Sequence, residues 1–299
     1  MSSKTVSGDA RLLSEEVKRV AHVVRDNVGT HPFLILWLVP SSVFIFFCLL
    51  YTFTFLAVPS VCILASLLFG LGSLILLLAR KRGPLFLPLA MASALAIGSG
   101  TFFGLYVFDQ FSIFPSFYAN SRLYTNVVPS QPSAAVADAG KLVFTRESFV
   151  DTQRSVSYVT ERGYTYCAAP VRDSSNAKQI EFWAVGIGCC SDGEFYCDAS
   201  GERRARAGIA VFDNIGFFAA SRRDNYEKAR RKAESAYAIA SSKDPMYIRW
   251  VREDNLDMLS RQYAAKAAIF LTVVCFAHVL LFLVLTALLH RPKYLRQYG

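Results

Sequence analysis

Charge is the first thing this chain lacks. From Pro32 to Ala79 there is no Asp, Glu, Lys, Arg or His, an unbroken run of 48 residues. Over the whole chain charged residues reach only 18%, where a soluble domain carries about 25%. That shortfall excludes an ordinary soluble globular protein. Crossing a bilayer takes about 20 apolar residues, so the run is long enough for two crossings. Val58-Pro59-Ser60 falls in its middle, and proline breaks a helix interior because it has no backbone donor. Helices are expected near 33–56 and 61–79, joined by a tight turn. Two more charge-free stretches follow, Gly83–Phe108 and Ala267–Leu289, the second interrupted only by His278.

Histidine is nearly absent. The four present are His22, His31, His278 and His290, so none lies between Asp109 and Lys266. Zinc sites normally use closely spaced cysteine pairs, often with histidine, and a catalytic cysteine needs a neighbouring base. Other chemistry-bearing patterns are missing too. There is no Gly-rich phosphate loop, no His-rich metal motif and no Gly-x-Ser-x-Gly elbow. Carboxylate pairs such as Glu253/Asp254 read as caps or solvated charges. No catalytic, cofactor or metal residues are therefore assigned, and a non-enzymatic protein is expected. No Asn-x-Ser/Thr sequon occurs. A cleavable leader is not expected either, because thirty-odd mostly polar residues precede the first apolar run.

The charges that are present lie beside the apolar runs. Lys4, Arg11, Lys18, Arg19 and Arg25 precede the first, Arg80-Lys81-Arg82 separate the second and third, and Arg291, Lys293 and Arg296 follow the fourth. Basic residues in short loops stay cytoplasmic, and these three segments fall on one side of a four-span arrangement. The expected order is a cytoplasmic segment 1–32, three spans within 33–108, an outside domain 109–266, a fourth span 267–289 and a cytoplasmic tail 290–299. The membrane is a plasma membrane or endomembrane. The net charge of +9 follows from these flanks, and the outside domain is nearly neutral, so nucleic acid is not an expected partner.

Within that frame, Leu13, Val17, Val20, Val24 and Val28 mark an amphipathic helix over 9–28, suited either to a lipid surface or to packing before the first span. In the third span Ala92, Ala96, Gly100 and Gly104 form a ridge of small residues. Such ridges let helix backbones approach closely. The ridge serves the chain's own bundle or a partner chain. The outside domain reads as a linker over 111–140, strands near 141–145, 155–168, 180–190, 194–197, 206–212 and 246–251, and a helix over 224–240 with Tyr226, Ala229, Ala233, Tyr237 and Ala240 on one face. The fold class expected is a four-span helical membrane bundle with a disulfide-stapled α+β domain between spans three and four.

Seven cysteines are present. Cys48, Cys62 and Cys275 lie in the spans, where a thiol acts as a small apolar group. Cys167, Cys189, Cys190 and Cys197 lie in the outside domain, and an even set in an oxidising compartment implies disulfides. Neighbouring strand residues point to opposite faces, so Cys189 and Cys190 should reach different partners. Continuing the strand alternation puts Cys189 on the face of Trp183, Val185 and Ile187. Cys190 is expected to pair with Cys197 across the Asp-Gly turn, and Cys189 with Cys167 of the preceding hairpin.

Four spans, cytoplasmic termini and a large cysteine-bearing loop resemble the tetraspanin layout, and Cys189-Cys190 is similar to that family's Cys-Cys-Gly motif. Ser191 stands where the glycine would be, and the large loop reads β-rich where tetraspanins are helical, so this resemblance implies topology alone. The stretch "EFWAVGIGCC…FYC…ARAGIAV" resembles uncharacterised multi-span proteins of alveolate algae over about a quarter of the chain. It implies membrane residence and no particular activity.

Two functions fit. One is a membrane protein whose outside domain, or third span, binds a protein partner or organises a complex, with the lipid bilayer as its other partner. The other is a channel or transporter subunit, for which an ionisable residue inside a span is the usual mark. Here that residue is His278, expected to be held by hydrogen bonds from neighbouring helices.

Overall fold

The computed structural model describes residues 32–175, 179–191, 193–214, 216–218 and 221–289. The amphipathic segment 9–28 and the tail 290–299 lie outside the described residues. The chain divides into two compact units, one containing 32–105 and 270–289, the other Tyr106–Ile269.

Among the described residues, four helices are long and apolar enough to cross a membrane. They are α1 (Pro32–Phe53), α2 (Pro59–Leu78), α3 (Phe86–Val107) and, at the other end of the chain, a helix over Met258–Leu289. Pro59 opens α2 at its first turn, where its missing N–H costs nothing. In the first unit, α1 touches each of the other three. The Tyr51 hydroxyl lies 2.8 Å from the Ser66 hydroxyl of α2, and the Thr52 hydroxyl donates to the Gly104 carbonyl of α3 at 3.3 Å. Trp37 Nε1 donates to the Val279 carbonyl of the last helix at 3.1 Å. The outer faces stay apolar. On α2, Leu67 is 65% exposed and Leu78 75% exposed, with Ile63, Leu64, Leu68, Leu71 and Ile75 exposed beside them.

The second unit begins where α3 ends. A wide π turn over Phe108–Ser112 leads into α4 (Ile113–Asn120). The expected linker over 111–140 is corrected here, because it contains α4, strand β1 (Arg122–Val127) and a short 3-10 turn at Ser133–Val136. Pro115 concealed the helix in the sequence. It lies in the first turn of α4, where a missing amide proton is tolerated.

The other strands are β2 (Ala139–Phe144), β3 (Phe149–Val150), β4 (Val156–Val159), β5 (Thr165–Arg172), β6 (Gln179–Ile187), β7 (Cys190–Ser191), β8 (Glu194–Phe195), β9 (Ala207–Ala210) and β10 (Ala240–Val251). Eight of them form one mixed sheet in the order β1-β2-β9-β10-β6-β5-β3, with β4 also paired to β5, while β7 and β8 form a separate hairpin. The β1/β2 and β10/β6 pairs are parallel and the rest antiparallel. Between β9 and β10 runs helix α5 (Arg223–Tyr237), and the long final helix Met258–Leu289 is α6. The helix expected over 224–240 therefore ends earlier. Ala238 takes a left-handed conformation (φ 51°), the usual way a helix C-terminus is closed, and Ala240 already belongs to β10.

Alternation along the strands sends side chains to two cores. On one face Trp183, Val185, Ala168 and Tyr166 pack against Tyr226, Ala229 and Ala233 of α5. On the other, Phe144, Phe182, Ala184, Ile248 and Trp250 pack under a cover of irregular chain that includes Phe195, Cys197, Ala199 and Ala205. A third cluster joins Phe114 and Tyr118 of α4 to Ile209, Val251 and Leu259.

Candidate functional site

The four cysteines of the second unit meet at the ends of β5 and β6. Cys167 pairs with Cys190 (Cα–Cα 5.8 Å) and Cys189 with Cys197 (Cα–Cα 4.9 Å). The expected pairing, Cys190 with Cys197 across the turn and Cys189 with Cys167, is corrected by this, and Gly188 is the cause. β6 stops at Ile187, and Gly188 has φ +67°, a conformation that glycine adopts at no cost. That residue turns the chain, so Cys189 no longer continues the Trp183/Val185 face. It packs instead with Phe182 and Ala184 on the opposite core. The sulfurs of Cys189 and Cys197 sit directly over Gly186, where any Cβ would overlap them. Three of the four sulfurs lie within 4.8 Å of one another, a spacing that thiolates around a metal would share, but covalent pairing uses each sulfur once. The result is a clamp that fastens the cover carrying Phe195, Cys197, Ala199 and Ala205 to the sheet.

In the first unit, the small-residue ridge lies against α1. A Cβ on Gly100 would come within 2.9 Å of the Phe44 carbonyl, and one on Gly104 within 2.8 Å of Tyr51 Cβ. Ala96 is fully buried and Ala92 half-buried. The ridge is thus occupied by the chain itself. His278 is buried between two rings, stacked on Phe44 with centroids 3.5 Å apart and on Phe282 at 4.4 Å. Neither ring nitrogen has a hydrogen-bond partner among the described residues. The expected interhelical hydrogen bond is corrected accordingly, because ring stacking, and not a hydroxyl, holds this imidazole.

A feature that the sequence reading missed is an open groove of about 520 Å³ in the second unit, between α4, the 3-10 turn, the end of β9 and the middle of β10. Its walls are Phe117, Phe212, Met246 and Tyr247, its side is formed by Ala134 and Ala137, and Asp213, Arg223 and Asp244 stand at its rim. The aromatic walls are held by their neighbours. Phe117 stacks on Phe212 at 4.2 Å, and Tyr118 donates its hydroxyl proton to the Ala210 carbonyl at 2.9 Å. Asp213 accepts the backbone N–H of Arg222 at 2.9 Å and of Arg223 at 3.4 Å, and the Ser221 hydroxyl at 2.7 Å. It thereby caps α5, whose N-terminus favours negative charge. The Arg223 guanidinium lies over the Tyr247 ring, 5.9 Å from its centroid, and the Tyr247 hydroxyl accepts from Arg230 Nε at 3.0 Å. Burial raises the Tyr247 phenol, with Arg230 opposing the shift, so the ring enters the groove neutral. The sequence signal was weak: Phe117 fell in the segment read as linker, and Phe212 at the end of a short strand.

The arrangement offers an apolar slot with one cation, Arg223, and two carboxylates, Asp213 and Asp244, at its rim. Such a slot suits a short segment with an apolar side chain flanked by polar backbone. No family model, curated protein or solved structure matches the chain.

Proposed function

We propose that this chain is a non-enzymatic multi-pass membrane protein whose disulfide-clamped domain binds a segment of a partner protein in the α4/β10 groove. Membrane residence is supported by the exposed apolar faces of α1, α2, α3 and α6, since contiguous apolar surface on this scale is not tolerated in water. The basic residues at Arg80-Lys81-Arg82 and in both terminal segments assign the termini to the cytoplasm. The domain between α3 and α6 then lies in the lumen or extracellular space, where disulfides persist.

The observation that carries the binding role is the groove. Its aromatic walls are held by their neighbours, and its volume lies within the range of about 300–1,000 Å³ typical of ligand sites. Gly100 and Gly104 are covered by α1, so the small-residue ridge itself is not the surface offered to a partner in this reading.

The test fills the groove without touching the core. Ala134 and Ala137 are exposed, so Ala134→Trp or Ala137→Trp adds bulk in the slot and leaves the sheet intact. Affinity purification in mild detergent should recover a partner with the natural chain and lose it with either variant. Identical recovery from all three proteins would refute the groove as the binding site.

A further inference from the structure

Asp109 is the first charged residue after the apolar run of α3, and it is only 1% exposed. A carboxylate buried this deeply needs donors from the protein. All but one come from Asn214, Phe217 and Phe218. The Phe217 N–H donates to Asp109 Oδ1 at 3.1 Å and the Phe218 N–H to Oδ2 at 2.8 Å. Asn214 Nδ2 donates to Oδ1 at 3.1 Å and to the Asp109 carbonyl at 2.6 Å. Gln110 Nε2 adds a contact to Oδ2 at 3.2 Å. Gly216 closes over the carboxylate so tightly that a Cβ there would overlap it. Backbone amides wrapped around an oxyanion in this way form an anion nest.

The nest fixes the height of Gly216–Phe218. Because the Phe217 and Phe218 amides bond directly to Asp109, both residues stand at the level where α3 leaves its apolar stretch. The Phe218 ring lies 5.7 Å from the Tyr106 ring, which is inside that stretch. Yet Phe217 is 68% exposed and Phe218 41% exposed. Two partly exposed phenylalanines beside the end of an apolar helix fall in the zone in which aromatic side chains collect at membrane–water interfaces.

We propose that Asn214 and Gly216–Phe218 act as an interfacial anchor, with Asp109 holding them so that Phe217 inserts into the lipid at the headgroup–acyl boundary. The occupant is bilayer phospholipid. Anionic headgroups are not required, because the contact is apolar. Anchoring ties the domain to the membrane surface independently of its two chain connections. The inference rests on the reading that α3 crosses a bilayer.

The test uses the full chain carrying Phe217→Trp, reconstituted into phosphatidylcholine vesicles, with the unsubstituted chain supplying the background from Trp37, Trp183 and Trp250. The added indole emission should be shifted to the blue, lost to acyl chains brominated near the headgroup, and insensitive to aqueous iodide. Combining it with Asp109→Asn should restore iodide quenching, in a protein whose disulfides still form. An indole quenched by iodide and untouched by brominated lipid would overturn the anchor, provided the protein resists alkaline carbonate extraction. Release by carbonate would overturn the spanning reading and the anchor with it, so the two failures are distinguishable.

Discussion

Removing disulfides in chosen pairs tests the clamp, and mapping the unsubstituted protein does not. Cys189 and Cys190 are adjacent, so after cleavage at Arg172 and Glu194 either cross-pairing leaves the same three peptides linked. Stability resolves the ambiguity. The Cys167–Cys190 bond closes a loop with a sequence separation of 23 and the Cys189–Cys197 bond one of 8. Chain entropy makes these worth about 3.4 and about 2.5 kcal/mol. In a unit of this size each kcal/mol moves the melting temperature by roughly 2–4 °C. The double variant Cys167→Ser/Cys190→Ser removes one bond and should melt roughly 7–14 °C lower. The double variant Cys167→Ser/Cys189→Ser breaks both bonds and should fall a further 5–10 °C or so. Thermal melts in detergent, followed by tyrosine and tryptophan fluorescence, read the order directly. The pairing expected from the sequence requires the opposite order. Finding the Cys167→Ser/Cys189→Ser protein the more stable would therefore refute the clamp described here.

Other expectations follow from single contacts. Gly104→Val places a side chain against the Cys48 carbonyl and Tyr51 and should destabilise the helical unit by about 1–3 kcal/mol, read as a lower melting temperature in detergent; unchanged melting would mean that α1 and α3 do not meet there. His278→Phe keeps the stack on Phe44 and Phe282 and removes two unsatisfied nitrogens, so stability should hold or rise. A loss beyond about 2 kcal/mol, which an unmet hydrogen bond would explain, or the disappearance of a measured ion flux, would instead assign the imidazole a polar role. Tyr226, buried between α5 and the sheet, has its phenol pushed up to about 12 by desolvation. A raised folded value means that its stabilising effect is complete below the ordinary tyrosine range near 10 and is lost as pH rises through about 12. Alkaline unfolding should accordingly be shallower in Tyr226→Phe, and an identical alkaline profile would contradict the buried assignment.

Periodicity and charge made much of this architecture legible in advance. Charge-free length located all four apolar helices, because no soluble element needs 48 residues without a charge. Valine, tyrosine and tryptophan in alternation located β5, β6 and the end of β10. The failures are local. Pro115 reads as a breaker in sequence and is harmless in a first turn, which hid α4. Gly188 reads as a strand residue and acts as a pivot, which redirected Cys189 to Cys197. The Asp109 nest had no sequence signal at all, since its partners lie more than a hundred positions away. The groove was equally silent, because its walls come from α4, β9 and β10 and adjoin only once the mixed sheet has formed.

The central claim, a clamped domain on the non-cytoplasmic side of a four-span base, can be tested by one substitution. The chain has no glycosylation sequon, but Lys178→Thr completes one at Asn176-Ala177. Expressed in a eukaryotic secretory system, this variant should gain a glycan, seen as a mass shift that peptide N-glycosidase removes, while a sequon added beyond Arg291 stays unmodified. An unmodified Lys178→Thr protein together with a glycosylated tail would invert the topology and contradict the account.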